Sequence, residues 1–287
     1  MKSKAIMETV LLILAVLVGC MAMLVAYEKK MVYYPSTYPA GIWETEPFGI
    51  QVEDVYFQSG DGVKLHGWFV PAEGAAATLL WFHGNAGNLT HRLDNIIRLR
   101  ALGLNVFIFD YRGYGKSEGE PDEPGIYRDS LAAYETLVRI KKISPERLFL
   151  FGRSLGGVCA IEVAAQRPAA GLILESTFTS AKDMARNLFP FLPLGYFIRS
   201  KFDAIGKIPA IEIPKLILHG TEDEIVPYRM GRELYEAAAE PKAFYEIRGS
   251  RHNDTYVAGG ESYFRALGRF VRHTLAAAPA GRSTGKP

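Results

Sequence analysis

"LFLFGRSLGG", residues 148–157, places Ser154 between an apolar run and the start of a helical stretch, with Gly152 two positions before it and Gly156 two after. This is a G-x-S-x-G pattern in a strand–turn–helix context, where a sharp reversal lifts the serine hydroxyl above the end of a sheet. The serine backbone is strained in such a turn, and its neighbours two residues away must lack side chains so that the chain can pass close by. A strand that feeds a helix through such a turn is one half of a βαβ unit, and the rest of the chain repeats the rhythm.

Short apolar runs, "TLLWF" (78–82), "NVFIFD" (105–110), "GLILEST" (171–177), "KLILHG" (215–220) and "AFYEI" (243–247), alternate with helical stretches and end in a closing helix over about 261–276. Runs apolar on both faces suit parallel strands covered by helices on both sides. Ahead of them, residues 52–72 form two alternating segments around Asp61-Gly62, the signature of an antiparallel hairpin. Residues 177–212 break the alternation. They include "NLFPFLPLGYFIRSKF" (187–202), and an insertion that long inside a compact fold reads as a cap.

At 287 residues and 48% hydrophobic composition, the chain can bury a large core. Its 33 basic and 31 acidic residues leave a formal charge of +2 with no basic block, which argues against a nucleic-acid partner. The N-terminus departs from the globular pattern. Val10 to Ala26 carries no charge over 17 residues, roughly 25 Å of helix, and Tyr27, Tyr33, Tyr34 and Tyr38 follow it. The expectation is a transmembrane anchor over 1–30, a juxtamembrane linker over 31–50, a catalytic domain over 51–276 with the cap inserted, and a disordered tail over 277–287. A cleaved secretory signal and a lipoprotein signal ending at Cys20 are the alternatives, although the apolar run continues past Cys20. Lysines on both flanks leave the side of the membrane open. Cys159 reads as a small buried side chain, and with Cys20 it makes no plausible disulfide.

A serine hydroxyl is nearly inert until a base takes its proton, so Ser154 requires a histidine and an acid to orient it. Of six histidines (His66, His83, His91, His219, His252 and His273), His252 in "SRHND" follows the last strand and precedes the last helix, where the base belongs in the order Ser, acid, His. Asp223, just past "KLILHG", is the expected acid. Glu175 is a rival, and Asp110 a weaker one that more naturally orients the loop around it.

"HGNAGN" (83–88), "FDYRGYGKSEG" (109–119), "GRSLGG" (152–157), "HGTEDEIVP" (219–227) and "SRHND" (250–254) together resemble the α/β-hydrolase superfamily. The similarity is greatest to its membrane-anchored serine hydrolases, which include lysophospholipases, monoacylglycerol lipases and protein depalmitoylases. The resemblance spans roughly residues 50 to 275. It implies an α/β-hydrolase fold: a mostly parallel eight-stranded sheet with helices on both faces, the N-terminal hairpin, and a small cap between strands 6 and 7. It also implies Ser154 as nucleophile, Asp223 as acid, His252 as base, and no metal or organic cofactor. A serine at the elbow separates the chain from dehalogenases and epoxide hydrolases, which place an aspartate there.

The loop "HGNAGN" then corresponds to the lipase "HGG"-type loop, and the backbone N–H groups of Asn85 and Leu155 are the expected oxyanion donors. The spacing lacks the glycine pattern of a phosphate cradle, and His83 and His91 have no acidic or cysteine partner at metal-ligand spacing. Phe189, Phe191, Leu192, Leu194, Tyr196 and Phe197 are expected to line an acyl pocket, to dip into the membrane surface, or to form the cap's own core. The functional expectation is a membrane-anchored enzyme acting on an acyl ester or thioester. A peptidase or acyltransferase on the same fold and a non-catalytic membrane-tethered scaffold are the alternatives.

Overall fold

The computed structural model describes residues 2–277. Eight strands form one sheet: β1 (Glu53–Gln58), β2 (Lys64–Val70), β3 (Ala77–Phe82), β4 (Leu104–Asp110), β5 (Leu148–Arg153), β6 (Gly171–Glu175), β7 (Lys215–Gly220) and β8 (Lys242–Ile247). Their order across the sheet is β8-β7-β6-β5-β3-β4-β2-β1. β2 runs antiparallel to both β1 and β4, and the other pairings are parallel. The hairpin turns at Gly62, whose φ of +87° suits a residue without a side chain. Strands β3 and β5 at the centre are buried along both faces, except for Arg153 at the end of β5, as their unbroken apolar sequences require.

Helices cover both faces. α3 (Leu93–Arg100) and α9 (Thr255–Ala277) pack on one side over Trp81, Ile108 and Phe151. On the other, α4 (Glu123–Glu135), α5 (Leu155–Ala164) and α8 (Tyr228–Ala237) close over Leu80, Phe109 and Leu150. α9 begins six residues earlier than the sequence pattern suggests, with a kink at Gly260. The expected tail lies outside the described residues, apart from Ala277, which closes α9.

The segment expected as a cap lies between β6 and β7 and holds α6 (Ala181–Leu188) and the short α7 (Ala204–Lys207). Only its first part stands off the domain. Phe202, Ala204, Ile208 and Ile211 are buried in the core beside α5 and α8.

The N-terminus forms α1 (Lys2–Ala26) and α2 (Glu28–Val32). Within α1, Ile6–Ala26 is 21 residues long with a mean hydropathy of 2.8, long and apolar enough to cross a membrane. Of the segment expected as a linker (31–50), residues 33–50 are built into the domain. Tyr34–Pro35 pairs in parallel with Ala86–Gly87, Thr37 bridges Gly115, and Tyr33, Thr45 and Ile50 are buried. A connection with buried backbone must satisfy its amides, and this one does so on the 83–88 loop: the Tyr34 amide donates to the Asn85 carbonyl at 3.0 Å and the Ser36 amide to Gly87 at 2.9 Å.

The elbow is the tightest point of the fold. A Cβ on Gly156 would lie 1.9 Å from the Phe82 carbonyl oxygen, and one on Gly152 would lie 2.4 Å from the Gly156 oxygen. Neither neighbour is a flexible side chain that can yield. Gly156→Ala is therefore expected to destabilise the fold by about 3 kcal/mol or more through overpacking. Guanidinium unfolding checks this, and a midpoint equal to that of the wild type would contradict the close approach.

Candidate active site

The sheet's parallel strands end on one edge, and the loops leaving them there bring the site together, as in open α/β folds generally. Ser154 follows β5 and caps α5 with φ +54° and ψ −121°. That conformation is costly for a residue with a side chain, by about 1–3 kcal/mol, and the surrounding packing must hold it. Asp223 lies in the loop after β7, and His252 in the loop between β8 and α9.

These three side chains form one hydrogen-bonded line. His252 Nε2 is 3.2 Å from Ser154 Oγ, and His252 Nδ1 is 2.8 Å from Asp223 Oδ2 and 3.0 Å from Oδ1. Asp223 also accepts the amides of Ile225 and Val226, and its Oδ2 lies 3.4 Å from His219 Nε2. Burial alone would raise the Asp223 carboxyl. Hydrogen bonds with His219 and His252 outweigh it and hold the carboxyl well below the usual carboxylate range. An ionised Asp223 at that position favours the tautomer with hydrogen on Nδ1, which leaves Nε2 with a lone pair facing Ser154.

The rival acids are engaged elsewhere. Glu175 is fully buried, receives hydrogen bonds from Thr255 and Tyr263 at 2.5 Å each, and pairs with Arg153 Nε at 3.1 Å. Arg153 in turn donates to the His252 carbonyl, so Glu175 acts on the His252 loop from behind. Arg153 is a positioning residue that sequence reasoning missed, although it stands directly before the serine. Asp110 accepts the Leu89 amide at 2.8 Å and lies 3.4 Å from His83 Nε2, which shapes the 83–88 loop.

His83 bonds locally, through Nδ1 to the Gly84 carbonyl at 2.7 Å, and its own carbonyl accepts the Tyr111 hydroxyl. His66 pairs with Asp54, His91 accepts the Asn88 amide in a capping box, and His273 lies in α9. Cys159 is buried in α5, and burial pushes its thiol up to about 12, which suits a packing role and not a reactive one.

Ser154, Leu155 and Asn85 line the same cavity. A Cβ on Gly84 would lie 3.6 Å from Ser154 Cβ, so the 83–88 loop rests directly on the elbow. The Asn85 side chain points away and donates to the Val32 carbonyl at 2.8 Å, while the Asn85 carbonyl accepts the Tyr114 hydroxyl.

The cavity walls are apolar. From the domain and cap come Phe178, Met184, Leu188, Leu194, Ile198, Phe202, Ile225 and Val226. Of the six cap residues expected to line an acyl pocket, Phe189 and Leu194 line it. Phe191 is 96% exposed, Leu192 is half-buried away from it, and Phe197 lines a surface groove beside α1 with Arg199. Tyr196 is exposed under Lys182 and Arg186. A cap this small cannot turn every apolar side chain inward, and the Pro190 and Pro193 turns direct Phe191 outward. The unexpected wall is N-terminal: Leu24, Glu28, Met31 and Val32 line the same space.

A family model described as serine aminopeptidase, S33 matches residues 73–202, which include the 83–88 loop and Ser154 and end before Asp223 and His252. The alpha/beta hydrolase domain-containing protein WAV2 of Arabidopsis thaliana is 38% identical over 282 residues, covering 89% of this chain and 91% of that protein. The chain belongs to the α/β-hydrolase superfamily. Protein bem46 of Schizosaccharomyces pombe is 38% identical over 278 residues and covers 90% of each chain. Among solved structures, the Pyrococcus furiosus esterase Pf2001 superposes with a TM-score of 0.70 at 22% identity, over 85% of this chain and 98% of its own. That likeness shows the shared fold. The mostly parallel eight-stranded sheet of this chain, with helices on both faces and an antiparallel N-terminal hairpin, is the one expected from the sequence.

Proposed function

We propose that this hydrolase is a membrane-anchored serine hydrolase that cleaves acyl esters or thioesters through an acyl-enzyme on Ser154. The observation that carries the reading is the Asp223–His252–Ser154 line opening into a cavity with apolar walls. His252 Nε2 takes the Ser154 proton as Oγ bonds to the substrate carbonyl carbon. The carbonyl electron pair moves onto oxygen, which the backbone N–H groups of Leu155, at the first turn of α5, and Asn85 would stabilise. As the tetrahedral centre collapses, the bond to the alcohol or thiol breaks and His252 returns the proton to it. Water then attacks the acyl-enzyme with His252 again as base, releasing the acid and restoring Ser154. Asp223 stays ionised and stabilises the imidazolium at each proton transfer.

The apolar span Ile6–Ala26 supports the bilayer as the protein's partner. Its helix runs unbroken through Cys20, and its exit is packed on the catalytic domain, which favours an anchor over a cleaved or lipidated signal. A peptidase reading is favoured by the description of the matching family model. An aminopeptidase must neutralise a substrate ammonium, however. Glu28, the carboxylate that lines this cavity, is already bonded to two backbone amides.

The test uses the full-length protein in detergent micelles against lysophospholipids, monoacylglycerols, acyl thioesters and aminoacyl-amide reporters, with fluorophosphonate labelling in parallel. Labelling at Ser154 and turnover of one of the three acyl classes is the expected result. Turnover of the amide reporters alone would transfer the assignment to the peptidases, and absence of labelling would favour a scaffold.

A further inference from the structure

The N-terminal segment touches the site at three places. Glu28 is 8% exposed, and its carboxylate accepts the amides of Arg199 and Ser200 at 2.8 Å each. The next two amides, of Lys201 and Phe202, go to Glu123 at 2.6 and 2.7 Å. Two carboxylates from two helices therefore hold four consecutive amides of the cap's returning segment. Val32 accepts the Asn85 side chain, and Tyr33 packs edge-on against Phe202, itself a cavity residue.

Leu24 belongs both to the apolar span Ile6–Ala26 and to the wall of the cavity that holds Ser154. Beside it, Phe197 and Arg199 line a surface groove together with Val18, Met21, Ala22 and Val25, so the cap stands alongside the last eight or so residues of the span, about 12 Å of helix. If the span lies in a bilayer, that part of the cap lies at the depth of the headgroups and upper acyl chains. Its outward side chains suit that depth: Phe191 and Tyr196 are exposed, with Lys29 and Lys30 at the span's exit.

We propose that α1 and α2 are a structural part of the active site: Leu24, Met31 and Val32 form the wall along which a membrane lipid's acyl chain slides from the bilayer to Ser154, with Glu28 holding the cap across it. This rests on the serine-hydrolase reading and adds the substrate's location, an acyl ester or thioester whose chain is embedded in the bilayer. A chain arriving this way leaves lipid for an equally apolar wall and never crosses water, so its transfer costs little hydrophobic free energy. Glu28 is a positioning residue, acting through the cap.

The experiment compares the full-length protein reconstituted in phosphatidylcholine vesicles on two substrates: 4-methylumbelliferyl palmitate carried in the bilayer, and 4-methylumbelliferyl acetate in water. Leu24→Trp and Met31→Trp narrow the wall, and Leu12→Trp makes the same kind of change on a lipid-facing part of α1 away from the cavity. The ratio of palmitate to acetate turnover is expected to fall about tenfold or more in both wall variants, the scale on which apolar pockets discriminate chain size. It is expected to be unchanged in Leu12→Trp. Glu28→Ala, which leaves the wall in place and frees the cap, is expected to lower the same ratio. A ratio unchanged in both wall variants, or a wild type that cleaves acetate and not palmitate, would overturn the inference and leave the serine-hydrolase reading standing. A wild type that cleaves neither ester would overturn both.

Discussion

Ser154→Ala is expected to lower kcat for a short p-nitrophenyl ester by about 10⁴-fold or more and to abolish fluorophosphonate labelling. Ser154 Oγ is the atom that would bond to the substrate carbon, and no other hydroxyl is placed 3.2 Å from His252 Nε2 among the described residues. What survives is the contribution of the oxyanion donors and of substrate binding, which act without a nucleophile. The fold is expected to persist, because alanine retains the Cβ already accommodated at φ +54° and the glycines that admit the turn are untouched. Steady-state turnover together with guanidinium unfolding separates the two effects. Activity retained in a folded variant would remove Ser154 from the mechanism.

Asp223→Asn is expected to cost a comparable factor, about 10⁴ in kcat, without displacing a single heavy atom far. An asparagine turned with its amide nitrogen toward His252 Nδ1 meets an acceptor there. The proton then moves to Nε2, and the ring no longer offers a lone pair to Ser154. The turn formed by the Ile225 and Val226 amides loses a charged acceptor as well. The pH dependence follows from the direction of the Asp223 shift. A carboxyl whose folded value lies below its unfolded value contributes stability that is present above the ordinary aspartate range and is lost as pH falls through the lowered folded value. Wild type and Asp223→Asn are accordingly expected to differ in unfolding midpoint near neutrality and to converge in strong acid. Parallel denaturation curves across that range measure it, and a constant gap would mean that the charge of Asp223 contributes nothing. Turnover that survives in Asp223→Asn and falls in Glu175→Gln would return the acid's role to Glu175.

The residues brought together at the sheet edge were readable because each reports on its own few neighbours. Gly152, Ser154 and Gly156 describe a turn that only a strand followed by a helix can make, and the contacts a Cβ would make at both glycines show why no other residue serves. Asp223 follows an apolar run buried on both faces, as an interior strand is, and His252 follows β8, the edge strand parallel to it, so their loops open on the same edge. Spacing alone does not separate Asp223 from Glu175, since both follow buried apolar runs. In the structure Glu175 is bonded to Arg153, Thr255 and Tyr263, and Asp223 is the carboxylate on His252 Nδ1.

The substrate side was legible only in part. An apolar residue in a Pro-broken insertion has the same signature whether it faces a cavity, a core or a membrane, and Phe189 and Phe191, two positions apart, end with one in the cavity wall and the other exposed. Residues 33–50 carry few long apolar runs and so read as a tether, yet their backbone is bonded to the 83–88 loop, a pairing that depends on residues some fifty positions away.

By itself, then, the sequence determined the α/β alternation, the elbow and the order of Ser154, Asp223 and His252, because those features are written in local spacing and in the two-sided burial of strands. The tertiary structure decided what encloses Ser154. Leu24 and Met31 lie within or just beyond a stretch whose composition is set by the demand to be apolar, and a side chain facing lipid is chemically the same as one facing an acyl cavity. Only the packing of the cap against the end of α1, fixed through the buried Glu28, distinguishes the two.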